Sequence, residues 1–324
     1  MMGPIAAFSA PLLPIVSVAE DPFAAISAPL PAGAAAACGV AHMRGMREAM
    51  EDAFAAVVIP DSPFLFLAVF DGHGGRGTAD FAAARLLPCL LATREWAAAA
   101  AAGFDDDAAL AGALRAGFAA CDAAAYESRA CDDRSGACAL VALVSARSII
   151  VANCGDCRAV LARGAVADGA AAASATALST DHKPDAHAER ARLKSRAGAA
   201  ANRGGYFQGL AVSRALGDFR TKLDHQRVAA AAPPPLLPAA QQTVTSDPEV
   251  TVAPRGAGAA LLVLACDGVW DAMSSAEAAN FVRAARARGA APEAVAAALI
   301  HECLERGSSD NMTAIVADLG FAPY

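Results

Sequence analysis

The chain is poor in aromatic residues, which make up 6% of its 324 positions, and it has no run of about 18 strongly apolar side chains. Its uncharged stretches are either broken by proline or built mostly of alanine, which adds helix propensity and little burial. The 56% hydrophobic content therefore does not read as a membrane span. Basic residues are scarce too: 26 Lys and Arg against 33 Asp and Glu leave a net charge of −7. Without a Lys/Arg cluster there is no track for a phosphate backbone, so neither nucleic acid nor membrane is expected as a partner. Residues 1–37 contain no Lys or Arg at all, and so lack the basic start of a secretory signal; they read as an Ala/Pro-rich tail. The Met1-Met2-Gly3-Pro4 start does not fit myristoylation. Nine cysteines, an odd number without small-domain spacing, read as reduced thiols in an intracellular compartment, cytoplasmic and/or nuclear. No coiled-coil heptads or repeats are present, and a monomer is expected.

From residue 38 the texture changes to short apolar runs bounded by Gly and Asp, alternating with Ala-rich helical stretches, which indicates a mixed α and β domain over 38–320. Strands are expected at 54–59, 64–70, 138–145, 148–153, 159–162, 261–265 and 312–318. The links at 60–63 and 144–148 are too short for a helical crossover, so the strands they join should be antiparallel neighbours. Helices are expected at 75–91, 108–129, 185–196, 275–288 and 292–306, the fourth capped by Ser274 or Ser275 with Glu277 in its first turn. The Pro-rich stretch 229–242 reads as a loop.

Acidic residues fall where burial is costly without a partner. Glu51 and Asp52 precede the strand at 54, Asp71 ends the strand Leu65-Phe66-Leu67-Ala68-Val69-Phe70, and Asp156 follows the strand at 148–153. Asp267 ends the strand at 261–265, Asp271 lies four residues on, and Asp310 opens the last strand. Glycine follows Asp71 and Asp267 directly, which would let the backbone turn sharply and offer a carbonyl as a ligand. An isolated Asp-Gly is most often a turn. Six acidic positions beside strands, counting the Glu51-Asp52 pair as one, together with Arg47 and His73 point instead to one site. An all-oxygen donor set selects hard ions such as Mg²⁺ or Mn²⁺ over zinc.

The residues run in the order Arg47-Glu48-Ala49-Met50-Glu51-Asp52, Val69-Phe70-Asp71-Gly72-His73-Gly74-Gly75, Ser135-Gly136 and Asn153-Cys154-Gly155-Asp156. After these come Asp181-His182-Lys183-Pro184, Leu210 to Phe219, Asp267-Gly268-Val269-Trp270-Asp271 and Ser309-Asp310-Asn311-Met312-Thr313. Together they resemble the PPM family, the protein phosphatase 2C type, from about His42 to Leu319. The resemblance implies an α+β fold, a four-layer αββα sandwich of two antiparallel sheets flanked by helices. It implies a metal-dependent protein serine/threonine phosphatase acting on phosphorylated protein substrates, with two and up to three Mg²⁺ or Mn²⁺ ions. By position, Asp71 corresponds to the carboxylate bridging two metals, with Glu51 and the Gly72 carbonyl on one and Asp267 and Asp310 on the other. Asp52 would orient the attacking water, Arg47 clamp the phosphate and His73 act as general acid. Asp156 and Asp271, with Asp267, match a third and weaker metal position. Residues 184–209 correspond to the variable flap beside the cleft. The family usually carries a small hydroxyl residue where Cys138 stands and a serine at Cys157, and exposed thiols there would be open to oxidation.

Two rival chemistries start from cysteine. Cys38 to Arg44 and Cys157 to Arg163 both satisfy Cys-x5-Arg, but a phosphate-wrapping loop is not expected where the second match reads as strand. Cys154 and Cys157 lack a second Cys pair for zinc. The remaining alternative is a catalytically inactive scaffold of the same fold that binds phosphoproteins, which the presence of all the expected ligands disfavours.

Overall fold

The computed structural model describes residues 26–33, 36–164, 174–197, 202–203, 205–224, 234–256 and 260–320. The strands are β1 Ile26–Gly33, β2 Ala36–Met43, β3 Ala53–Val58, β4 Leu65–His73, β5 Gly136–Val144, β6 Ser148–Cys154 and β7 Arg158–Arg163. They continue with β8 Ser174–Ala177, β9 Asn202–Arg203, β10 Tyr206–Phe207, β11 Leu216–Gly217, β12 Glu249–Pro254, β13 Ala260–Ala265 and β14 Met312–Asp318. The helices are α1 Gly77–Leu91, α2 Arg94–Ala101, α3 Asp107–Ser128, α4 His187–Ala197, α5 Asp267–Trp270, α6 Ser275–Ala287 and α7 Pro292–Glu305.

One sheet runs β1-β2-β14-β13-β7-β8, and the other β12-β6-β5-β4-β3 with β11 alongside β5; every pairing is antiparallel. Alternation along each strand builds the layers. In β4, Leu65, Leu67 and Val69 join Leu140, Val151, Leu262, Leu264 and Ile315 in the core between the sheets. Phe66, Ala68 and Phe70 face the other way, onto Leu86, Leu90, Leu110, Leu114 and Phe118 of α1 and α3. On the far side, Val160, Val263 and Val316 pack against Val282, Val295 and Leu299 of α6 and α7. The result is the αββα sandwich that the family resemblance implies. α3 is long and apolar enough to cross a bilayer, yet its Leu110, Leu114, Gly117, Phe118 and Asp122 face is buried in the second core.

The expected hairpins β3–β4 and β5–β6 form. Ser274 caps α6 in a full capping box with Glu277. Three expectations change. Ile26–Gly33, inside the segment read as a tail, pairs with β2 as an edge strand. Its Ala and Pro content hides it, since proline is tolerated on an edge. β12, with its exposed and half-buried pattern, is an edge strand that the search for apolar runs passes over. β4 continues through His73 rather than stopping at Asp71, pairing His73 with Gly136. Residues 1–25 and 34–35 of the expected tail and 229–233 of the expected loop lie outside the described residues.

The segment 184–209, which the resemblance aligns with a flap, holds α4 and the β9–β10 hairpin, with 198–201 and 204 outside the described residues. α4 is held down by Glu189, whose side chain is 4% exposed. Its carboxylate accepts from Arg214 at 2.6 Å, Arg192 at 2.7 Å and Ser213 Oγ at 2.6 Å. Burial alone would raise the Glu189 pKa, but these three donors outweigh it and hold the carboxyl well below its ordinary 4.5. A depressed folded-state pKa gives stability that is present above 4.5 and is lost progressively as pH falls towards the folded value. Glu189→Gln should therefore cost about 3 kcal/mol near neutral pH, with the gap to wild type narrowing steadily below about pH 4.5. Thermal melts from pH 7 down to 3 would read this, and a gap independent of pH would refute it.

Candidate active site

Both sheets deliver acidic residues to one end of the sandwich. Ala53 at the start of β3 sits opposite Phe70 near the end of β4, Ala139 opposite Cys154 at the end of β6, and Ala265 opposite both Arg158 and Ala314. The loops 44–52, 155–157, 266–271 and 308–311 therefore emerge together. Strand parity then aims the side chains. Asp71 and His73 continue the 65, 67, 69 row that faces the inter-sheet core, and Asp52 continues the row of Phe54 and Ala56.

The carboxylates of Asp71, Asp156 and Asp267 lie within 4.8 Å of one another, and Asp52, Asp71 and Cys266 form a second such group. Asp52 is buried; its Oδ2 accepts from Thr313 Oγ1 at 2.7 Å while its Oδ1 has no partner. Burial, reinforced by Asp52, Asp267 and Asp156, pushes the Asp71 carboxyl well above the ordinary range. Burial also raises Asp52 to about 6, against the pull of the Thr313 and Cys266 hydrogen bonds, and raises Asp267 to about 7 with Asp156 adding to it. Packing this many carboxylates together without protons is unfavourable unless cations share the space. An oxygen-rich set with an unpartnered buried carboxylate oxygen fits a hard divalent ion.

Glu51 is held by its loop: its N–H donates to Asn311 Oδ1 at 2.8 Å, and its Oε1 accepts from Gly75 N–H at 2.8 Å. Asn311 also donates to the Arg44 and Ala49 carbonyls, at 2.7 and 3.0 Å, and so pins the 44–51 turn to the start of β14. The two glycines after Asp71 and Asp267 are not turn residues. Gly72 lies within β4, and a Cβ there would meet the Glu51 carbonyl oxygen at 2.3 Å; at Gly268 it would meet the Asn311 carbonyl oxygen at 2.1 Å. Backbone passing against backbone is what requires glycine at both.

Arg47 donates from Nη2 to Asp310 Oδ2 at 2.6 Å, with its side chain 59% exposed. Asp271 and Asp310 line a single open cavity with Gly268 and Arg306. His73 Nε2 is 2.8 Å from Asp218 Oδ2, an aspartate with no exposed side-chain surface. Burial would lower the His73 pKa, and the Asp218 hydrogen bond and charge raise it beyond that. Asp156 accepts at Oδ1 from Cys138 Sγ at 3.1 Å and pairs through Oδ2 with the Lys183 ammonium, which is also 3.7 Å from Asp267 Oδ2.

All ten sequence-predicted positions thus map to this end of the molecule. Three of the carboxylates converge directly, Asp52 sits beneath Asp71, and Arg47 reaches Asp310. Sequence reasoning assigned no role to Asp218, Lys183, Asn311, Thr313 or Cys266. All five lie in or beside the quoted motifs, but their residue types alone gave no chemical signal. Cys138 and Cys157 are both buried, and burial raises both thiols far above their ordinary value, so the expected oxidation risk does not arise at an exposed sulfur. Cys138 takes the hydroxyl's place as a donor to Asp156. Cys38 lies within β2, and Arg158 to Arg163 form β7, so neither Cys-x5-Arg match is a phosphate loop.

Residues 36–312 match the model of the family described as Protein phosphatase 2C. The chain is 36% identical over 288 residues to "Probable protein phosphatase 1N" of Mus musculus, covering 88% of this chain and 65% of that protein. It is 35% identical over 291 residues to "Protein phosphatase 2C homolog 2" of Schizosaccharomyces pombe, covering 85% of this chain and 70% of that one. The human protein phosphatase 1N match likewise reaches 61% of its length, so the chain spans somewhat under two thirds of these mammalian relatives. Among solved structures, serine-threonine phosphatase 2C from Toxoplasma gondii superposes with a TM-score of 0.70 at 21% identity, covering 91% of this chain and 99% of that one.

Proposed function

The chain belongs to the protein phosphatase 2C family, and on that premise we propose that it hydrolyses phosphoserine and phosphothreonine in phosphorylated proteins with the help of Mg²⁺ or Mn²⁺. The observation that carries this reading is the meeting of Asp71, Asp156 and Asp267 within 4.8 Å of one another. Asp71, Glu51 and the Gly72 carbonyl would hold one ion, and Asp71, Asp267 and Asp310 the other. Asp156, Asp271 and Asp267 would hold a third. Ions bound there supply Lewis acidity that makes water nucleophilic near neutral pH and offsets charge on the phosphoryl oxygens.

The chain's own groups do the positioning and the proton transfer. Asp52, held at Oδ2 by Thr313, keeps Oδ1 free to accept a hydrogen bond from the attacking water. Arg47 uses one nitrogen on Asp310, which leaves the rest of its fork for the phosphate oxygens, a geometry lysine cannot offer. His73, fixed and kept basic by Asp218, protonates the departing Ser or Thr oxygen, since an alkoxide leaves poorly without a proton. No covalent enzyme intermediate is needed.

Phosphate release from a phosphothreonine peptide is expected with Mn²⁺ or Mg²⁺ and should fall to background in EDTA. Full activity in EDTA would sink the metal-dependent reading. No turnover from protein with Mn²⁺ measurably bound would favour a phosphoprotein-binding scaffold.

A further inference from the structure

Lys183 stands in the acidic cluster without being accounted for by the reaction. Its ammonium pairs with Asp156, whose side chain is 3% exposed, and lies 3.7 Å from Asp267 Oδ2. Burial works against its charge, and Asp156, Asp267 and Asp271 together outweigh that in favour of the protonated form. These three are the carboxylates assigned above to the third ion, so one ammonium now part-neutralises the group that a divalent cation would occupy.

The backbone behind Lys183 is fixed from several sides. His182 N–H donates to the Gly155 carbonyl at 2.9 Å, and Gly155 N–H donates back to His182 Nδ1 at 3.2 Å. Ser213 donates to the His182 carbonyl from both its N–H and its Oγ, each at 2.9 Å. Asp181 takes a two-pronged contact from Arg158, at 3.0 and 2.6 Å. Residues 181 and 182 are thus bolted to the loop that carries Asp156, which places the lysine stem beside it in advance. The side chain of Lys183 is 34% exposed, so its four-carbon stem has a way out to water while the two residues before it are held in place.

We propose that Lys183 is a built-in counter-ion that competes with the third divalent cation for Asp156 and Asp267, and so sets how weakly that cation is held. The inference rests on the metal-dependent reading above. Entry of the ion needs only rotation of the lysine side chain, because the turn beneath it is held independently. Filling the site therefore releases a free ammonium at the head of the flap, directly before Pro184 and α4. With the lysine in place the cluster is part-neutralised at low metal concentration, which spares Asp156 the cost of burial as a lone charge.

The full-length protein would be titrated with Mn²⁺, following the free ion by electron paramagnetic resonance. Lys183→Gln is expected to bind the weakest Mn²⁺ about tenfold more tightly than wild type, with a smaller shift in the tighter ions, while Lys183→Arg behaves like wild type. An unshifted or weakened last ion in Lys183→Gln overturns the proposal. If wild type retains no Mn²⁺ at all, the metal-dependent reading falls and takes this inference with it; a normal isotherm with an unshifted last ion removes the inference alone. A second measurement needs no variant: acylation of Lys183 in wild type, read by mass spectrometry, should rise on saturation with Mn²⁺, and equal labelling with and without the ion refutes displacement.

Discussion

Asp71→Asn is expected to slow phosphate release from a phosphothreonine peptide by roughly a thousandfold or more, the largest loss of activity from any single conservative change in this chain. The substitution keeps the size of the side chain and its place on β4. It removes the one carboxylate that is close both to Asp156 and Asp267 and to Asp52 and Cys266. Asp71 alone belongs to both groups and is the residue assigned to both of the first two ions, so this change disables both at once. The same crowding predicts the opposite effect on the metal-free fold. Burial and the neighbouring Asp52, Asp267 and Asp156 all work against a carboxylate at Asp71, so an amide there removes that cost, and the variant should melt no lower than wild type in chelator. Wild type should gain thermal stability on adding Mn²⁺, and the variant should gain much less. A variant that turns over normally, or one that unfolds in chelator, would contradict the role given to Asp71.

Lys222→Met should cost about 3–5 kcal/mol of unfolding free energy. Lys222 has no exposed side-chain surface and Asp122 has 3%. The ammonium donates to Asp122 Oδ2 and to the Ala215 carbonyl, both at 2.8 Å, while Asp122 Oδ1 accepts from Gly217 N–H, also at 2.8 Å. This knot ties α3 to the 215–222 loop. Removing the lysine alone strands a carboxylate in the core, whereas the double change Lys222→Met with Asp122→Leu removes both charges and should recover most of the loss. Denaturant midpoints of the two single variants and the double variant would test this. Additive losses would mean that the pair does not couple. Because Asp218, the partner of His73, sits on the same loop, Lys222→Met should also reduce turnover in molecules that remain folded.

The ligand candidates were legible because carboxylates at the ends of apolar strands are conspicuous: Asp71 and Asp267 break runs of Leu, Val and Ala that otherwise explain themselves. The sandwich was legible in part from short links that permit only hairpins, and more fully from the family resemblance. The groups that hold the ligands in place could not be read in this way. Asn311, Thr313 and Asp218 act through contacts 145 to 267 residues away in sequence, and nothing local distinguishes them from turn or strand residues. The glycines after Asp71 and Asp267 were noticed for the wrong physical reason, since close approach of two backbones leaves no trace in a single segment. β1 was missed because an edge strand needs only one hydrogen-bonding partner and no apolar pattern.

The acidic residues are divided between the two halves of the sandwich: Glu51, Asp52 and Asp71 hang from one sheet, Asp267, Asp271 and Asp310 from the other, and Asp156 sits on the link between them. Cations held by both groups would act as a rivet through facing plates. Any shear of one sheet over the other, whether from a partner pressing on the helices or from a cavity in the shared core, would then be felt as a change in grip on the ions. Catalytic competence in such a molecule is a measure of how well its two halves are aligned.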